Sequence, residues 1–325
     1  MKRHWQRGAE FLLLDIRTLY ALVQPAFPGR QVEDARPVEG GLSNTNYRLI
    51  ISGRESPVRL RIFVTRPESS RLEAVLGGRV RPRVPVPLFL YYAVSNPFTG
   101  HPYAILEWLE GIALDDLPAM ASRQEVVEVG RQVGAVLAEI GSFKFPSAGF
   151  LDDALEVSKP MHLDGAVFRS YIHQDLVGGQ AGERLGGELS RELWRFVTAA
   201  SPLLDDLDDV PCLVHGDFDG SNILVLRVGG QWKVSGVVDW EYAISATPLV
   251  DLGHILRPPF GDIEPFERSL IEGFVSHGGI LAPQWRRACR LLDLINWVSF
   301  LNRPAPGREV IESSREMILR TISSW

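Results

Sequence analysis

Leu213-Val214-His215-Gly216-Asp217-Phe218-Asp219-Gly220-Ser221-Asn222-Ile223-Leu224-Val225 is the stretch whose reading decides the fold. An apolar entry, a loop dense in side-chain oxygens and an apolar exit read as strand, loop, strand. The exit run Ile223 to Val228 is followed by Gly229-Gly230-Gln231 and then by a second apolar run, Trp232 to Val238. Two such runs around a glycine pair form a β-hairpin. The hairpin returns the chain to Asp239-Trp240-Glu241, so Asp239 should lie close to Asn222 at the open end.

Oxygen-bearing groups gathered in this way suit phosphoryl transfer. That chemistry needs a carboxylate aimed at the acceptor hydroxyl and oxygen ligands for Mg²⁺ on the phosphates. Four residues separate Asp217 from Asn222, the interval found in the catalytic loop H-R-D-x-x-x-x-N of protein kinases. A Ca²⁺ loop starting at Asp217 would require Gly at its sixth position and Glu at its twelfth. Those positions hold Asn222 and Val228, which excludes it.

Upstream, apolar residues Phe11, Leu12, Ile16, Leu19, Leu22 and Val23 recur near helical spacing, and Pro25 closes the segment, so a leading helix is expected over 5–23. From Val38 the pattern turns to short β-type runs, 47–51 and 58–64, then a short helix over 68–78. Pro82, Pro85 and Pro87 lead into strands over 88–94 and 103–108. The spacing thus describes a five-stranded antiparallel sheet with one helix. Downstream the texture is mainly helical, with helices over 122–140, 188–204, 264–278, 283–302 and 307–325 around the hairpin. The fold class is α+β and two-lobed: residues 1–108 form the sheet lobe, residues 109–325 the helical lobe, and Gly111 suits a hinge.

A chain of 325 residues exceeds the usual reach of one hydrophobic core, and a cleft between two lobes is a natural site. The 45% apolar and 23% charged content is that of an ordinary globular protein. A net charge of −6 argues against a nucleic-acid partner. The run Phe11 to Leu14 stops at Asp15, too short for an export core or a membrane span, so no membrane association is expected. Cys212 and Cys289 are too few for a disulfide framework and fit a reducing, cytoplasmic compartment. Only Lys2, Lys144, Lys159 and Lys233 are lysines; every other basic side chain is arginine.

LVHGDFDGSNILV at 213–225 and GVVDWEYAISATPLVDLGHIL at 236–256 resemble the aminoglycoside phosphotransferases and their choline kinase-like relatives, which have the protein-kinase-like fold. Weaker echoes lie at 39–49 (EGGLSNTNYRL), 58–64 (VRLRIFV), 85–87 (PVP) and 103–114 (YAILEWLEGIAL). The resemblance implies transfer of the γ-phosphate of ATP or GTP to a small-molecule hydroxyl. Asp217 would be the catalytic base, Asn222 and Asp239 the Mg²⁺ ligands, and Glu107 to Leu109 the hinge that bonds a purine. His215 would orient the loop and Asp251 support it.

Two departures matter. The phosphate-gripping lysine of the third strand is absent, so an arginine must replace it; Arg61 is the first choice, and Arg59 competes because alternation puts both on one face. Glu73 would pair with that arginine, with Glu68 as fallback. The phosphate turn over 40–46 lacks G-x-G-x-x-G spacing and leaves Ser43 and Asn44 to face phosphate. These departures keep open a nucleotide-binding pseudokinase beside the active enzyme. Among acceptors, an aminoglycoside would suit acids such as Glu241, Glu272 and Asp293, and the same scaffold class also serves choline, homoserine, macrolides and sugars, so the fold does not choose between them. ATP versus GTP and the oligomeric state stay open.

Overall fold

Alternating side chains build the first sheet. The computed structural model describes residues 10–38, 43–207 and 210–325. Its N-terminal part contains β1 (Val32–Pro37), β2 (Thr45–Ile51), β3 (Val58–Ile62), β4 (Phe89–Ala93) and β5 (Tyr103–Glu107), all paired antiparallel in the order β1-β2-β3-β5-β4. Tyr47, Leu49, Ile51, Val58, Leu60, Ile62, Tyr103 and Ile105 form one buried cluster with Leu19, Leu22 and Val23 of helix α1 (Ile16–Val23). Period two then sends Arg59 and Arg61 to the other face, where their cross-strand partners are Arg48 and Asn46. Helix α2 (Ser70–Val80) contributes Glu73 there.

The leading helix is shorter than its periodicity suggests. It starts at Ile16, where the Asp15 side chain caps it by accepting from the Thr18 N–H. Residues 10–15 form no helix, because the Leu12 N–H donates to Thr45 Oγ1 and the Leu14 N–H to Tyr47 Oη, pinning the segment to β2. The expected residues 5–9 lie outside the described part. Of the five strands expected, β1 is the one whose position had no signal: its sequence, Val-Glu-Asp-Ala-Arg-Pro, sits at a sheet edge and shows no apolar alternation.

The rest of the chain adds β6 (Ile112–Ala113), β7 (Gly149–Leu151), β8 (Val157–Pro160), β9 (Cys212–Val214), β10 (Ile223–Val228), β11 (Gln231–Val237) and β12 (Ile244–Ala246). Strands β10 and β11 are the expected hairpin, and β6 pairs with β10 as a third strand. Gly111 just before β6 adopts φ +142, and a Cβ there would meet Ser235 Oγ at 2.7 Å. A third sheet in the order β8-β7-β12-β9 joins the entry strand β9 to three strands that the helical reading lacked; these have three or four residues, too short for a pattern. The helices Arg123–Ile140, Gly187–Ala200, Glu264–Ser276, Trp285–Leu301 and Arg308–Ser323 follow the expected segments. The first begins with a capping box of Ser122 and Glu125.

Arg123–Ile140 lies against Glu264–Ser276 at the spacing that glycine allows: a Cβ on Gly134 would collide with the Leu270 carbonyl oxygen. Gly134→Ala is therefore expected to cost about 1–3 kcal/mol as the pair is forced apart. Equilibrium urea unfolding measures this, and unchanged stability would show that the two helices separate freely.

Candidate active site

Asp251 holds the loop after β9. Its two carboxylate oxygens accept the His215 N–H at 2.7 Å and the Gly216 N–H at 2.9 Å, in a fully buried position. Burial pushes its pKa up to about 7 against the pull of these two donors. Gly216 has φ +79, and a Cβ there would collide with the Tyr242 carbonyl oxygen, so only glycine fits. The His215 ring packs against Trp240 at 4.6 Å, with Nε2 against the Val238 carbonyl at 3.1 Å and Nδ1 receiving the Asp217 N–H at 3.2 Å. Burial lowers its pKa, which keeps the ring neutral. A neutral ring with one nitrogen donating and the other accepting ties the loop to the strand end.

Asp217 is half-buried at the loop's tip. Asn222 Nδ2 donates to the Asp217 carbonyl at 2.9 Å and to its Oδ2 at 3.0 Å, which orients the carboxylate. The Val238 N–H donates to the Asn222 carbonyl at 3.0 Å. The hairpin thereby sets Asn222 one residue away from Asp239. Asp239 itself has φ 73, an uncommon conformation for a residue with a side chain, of the kind that clusters at functional sites.

Arg61 closes the other side. Its Nη2 lies 2.5 Å from Asp239 Oδ1 and 3.2 Å from Glu73 Oε2, and Arg61 and Glu73 are each 4% exposed. Only the contact with Asp239 is aligned as a hydrogen bond; Glu73 Oε2 has no hydrogen-bond partner. Burial would lower the pKa of Arg61, but Glu73 and Asp239 outweigh it and the net direction is up. Asp239 is also dominated by burial, yet Arg61 carries it below the usual carboxylate range. Burial raises Glu73 to about 7 in spite of Arg61, and burial together with Asp239 raises Glu241. Glu73, Asp239 and Glu241 thus crowd three carboxyl groups around Arg61, and burial and mutual repulsion push two of them toward the protonated form. Arg59 lines the same small space as Arg61 and Asp239 but lies toward Trp108, 5.9 Å from its ring centroid. Glu68 points away, to the half-buried Arg66.

Glu241, expected at the acceptor, lines the cavity beside the loop and makes a second contact as well. Its Oε2 accepts from Asn44 Nδ2 at 3.2 Å, and Asn44 Oδ1 accepts the Val64 N–H at 3.1 Å, so the phosphate turn is anchored to the segment after Asp239. The Ser43 carbonyl accepts from Thr65 Oγ1 at 2.8 Å. The Gly40-Gly41-Leu42 part of that turn lies outside the described residues. The Asp-x-Glu spacing from 239 to 241 was the available signal for this anchor. The other two expected acceptor acids lie elsewhere: Glu272 pairs with Arg131 on an exposed face, and Asp293 is buried against Arg257 at 2.5 Å and Trp297 Nε1 at 2.6 Å. Neither opens to the loop.

At the hinge, Glu107 turns its carboxylate outward to Arg81 at 2.8 Å and leaves the backbone of 107–109 along the cleft. Leu109 packs where a Cβ on Gly236 would stand. Beside the loop opens a cavity of about 550 Å³ lined in part by Gly216, Tyr242, Phe150, Met161, Leu163 and Ile295. Tyr242 was missed in the sequence; Arg66 stacks over its ring at 4.7 Å. Burial raises its pKa first, and Glu241, Asp217 and Asp239 add to this, which places it beside the site's acids.

An antiparallel sheet lobe, a helical part and a loop-and-hairpin site between them define a protein-kinase-like phosphotransferase scaffold. The model of the phosphotransferase enzyme family known as APH matches residues 34–290, and the chain belongs to that family. Among solved structures it is similar to aminoglycoside phosphotransferase APH(4)-Ia, with a TM-score of 0.71 at 16% identity over 95% of this chain and 99% of that one. A thermostable mutant of the same enzyme, in ternary complex with ADP and hygromycin B, gives 0.69 at 17% identity over 94% and 98%. The GDP complex of aminoglycoside 2'-phosphotransferase-IIIa gives 0.71 at 16% identity over 96% and 99%. Such identities speak for the fold. No curated protein sequence matches significantly, and among the described residues no helix is long and apolar enough to cross a membrane.

A raised carboxylate pKa means that the folded chain keeps a proton which the unfolded chain releases. Glu73 therefore contributes stability that is complete below its ordinary value of 4.5 and fades as pH rises toward about 7. Glu73→Gln, which cannot titrate, should flatten the decline in thermal stability between those two pH values. An unchanged slope would assign the decline to other groups.

Proposed function

We propose that the chain is a nucleotide-dependent O-kinase that moves the γ-phosphate of ATP or GTP to a hydroxyl of a small molecule. The observation that carries this reading is the meeting of Asp217, Asn222, Asp239, Arg61 and Glu73 at one place. Residues 1–108 would act as the nucleotide-binding lobe and 109–325 as the lobe of the catalytic loop and the acceptor.

Asp217, oriented by Asn222, accepts the proton of the attacking hydroxyl. Asn222 and Asp239 would hold Mg²⁺, and the residues present fit it. Both supply the oxygen donors that a hard cation prefers, and a divalent ion there would relieve the repulsion among the carboxyl groups crowded around Arg61. Among the described residues no three histidine, cysteine or acidic side chains converge into a cage, in keeping with an ion that takes its other ligands from phosphates and water. Bound Mg²⁺-nucleotide supplies the phosphoryl group and neutralises its charge. Arg61, braced by Glu73, takes the place of the absent lysine and grips phosphate oxygens with its fork. Ser43 and Asn44 shape the turn over the phosphates, and the backbone of 107–109 faces the purine.

The cavity beside Gly216 would receive the acceptor, and its size suits a drug-sized molecule. Relatives of this fold are seen with hygromycin B and kanamycin, which makes an aminoglycoside the first acceptor to test. The cavity lining is mixed: Phe150, Met161, Leu163 and Ile295 are apolar, Glu68, Asp152, Asp153 and Glu241 bring carboxylates, and Asp153 is paired with Arg71 at 2.9 Å. The carboxylates suit a polycation, and the apolar walls make a macrolide or another alcohol with apolar faces the second class to test. Two buried free thiols, Cys212 and Cys289, are in keeping with a cytoplasmic enzyme.

A coupled nucleotide-consumption assay with kanamycin, hygromycin B, a macrolide, choline and sugar alcohols tests the reading. At least one acceptor should stimulate turnover, and Asp217→Ala should lower that turnover by about 10²- to 10⁴-fold. Stimulated turnover that survives the substitution would remove Asp217 from the role of base.

A further inference from the structure

Arg48 on β2 and Arg59 on β3 are direct cross-strand partners. Like charges placed opposite each other destabilise a sheet, and among the described residues neither arginine has an ion-pair partner within reach. Both guanidinium groups instead lie over the ring of Trp108, at 5.3 and 5.9 Å from its centroid. Among the described residues Arg59 Nε has no hydrogen-bond partner. Burial, with Arg61 nearby, lowers the Arg59 pKa to about 10, a sign that its charge is poorly compensated. A buried donor group without a partner is costly, and this one borders the cleft.

Its position along the strand is informative. Arg61 stands over Asp239 and Glu73, at the phosphate end. Arg59 is two residues back, about 7 Å along an extended strand. Its partner on β5 is Leu106, the residue that immediately precedes the hinge segment 107–109. The unpaired guanidinium therefore faces the place where a donor nucleotide would put its base.

Resting on the phosphotransfer reading above, we propose that Arg59 reads the nucleobase of the phosphate donor and selects guanine over adenine. The guanidinium is a planar fork of donors with no acceptor. Guanine offers it two acceptors, N7 and O6, along one edge; adenine offers one acceptor, N7, beside a donor, the N6 amine. The fork meets guanine on both prongs and opposes adenine with one. Trp108 and Arg48 flank Arg59 and limit where its side chain can lie.

Isothermal titration of the full-length protein with Mg²⁺-GDP and with Mg²⁺-ADP tests this without any acceptor or turnover. GDP should bind about 10- to 100-fold tighter, the scale of one bidentate base contact. Arg59→Gln presents one donor and one acceptor, which matches the N6 and N7 of adenine, so the preference should swing toward ADP. Arg59→Lys keeps the charge without the fork and should bring the two affinities to within about threefold of each other. Thermal unfolding confirms that each variant is folded, and the wild-type comparison stands by itself if one is not. Equal or tighter binding of ADP by the wild type, or an unchanged ratio in a folded Arg59→Gln, would overturn the proposal while leaving phosphotransfer intact. Binding of neither nucleotide would remove both.

Discussion

The contact between Arg61 and Asp239 is the interaction on which the site depends. It joins the middle of β3 to the end of the β10–β11 hairpin, elements that the sequence separates by 178 residues. Taking two charges out of water costs several kcal/mol per ion, which only good geometry repays. Here the aligned contact is the one with Asp239, and Glu73 adds a second carboxylate without alignment. The pair is thus one cation shared between two anions, with a third, Glu241, close behind. Such an arrangement is poised to accept further positive charge.

Around it, each group is held by another. Asp251 fixes the backbone of 215–216, His215 carries that order to Val238, and Asn222 turns the Asp217 carboxylate. Asp239 sits in a left-handed conformation that costs of order 1–3 kcal/mol. The hydrogen bond to the preceding carbonyl, at Val238, restrains that turn. Asn44 and Glu241 extend the same network to the phosphate turn. The side chains that would meet substrate are few, and most of the buried polar groups serve to aim them.

Much of this was legible in the sequence because the deciding pattern is local. The spacing between 217 and 222, the glycine pair at 229–230 and the terminal Asp239 dictate a hairpin and its consequences. Long periodic helices such as Arg123–Ile140 declare themselves by their apolar spacing and their cap. Elements without internal pattern did not: β1 is a charged edge strand, and β7, β8 and β12 are too short to alternate. Residues 10–15 carry a helical apolar spacing that is overridden by hydrogen bonds to Thr45 and Tyr47. Glu272 and Asp293 show the limit for single acids, because whether a carboxylate faces a ligand depends on partners distant in the chain. Arg131 and Arg257 took them. The choice of Arg61 over Arg59 for the pair with Glu73 was likewise invisible to alternation, which gives both the same face.

One cation gathered between the loop and the hairpin is the central claim, and Mn²⁺ in place of Mg²⁺ tests it most directly. In the presence of a non-hydrolysable nucleotide, electron paramagnetic resonance should detect Mn²⁺ bound by the wild-type chain. Asp239→Asn and Asn222→Ala should each weaken that binding by about 10- to 100-fold. Mn²⁺ held equally well by the wild type and by both folded variants would contradict it.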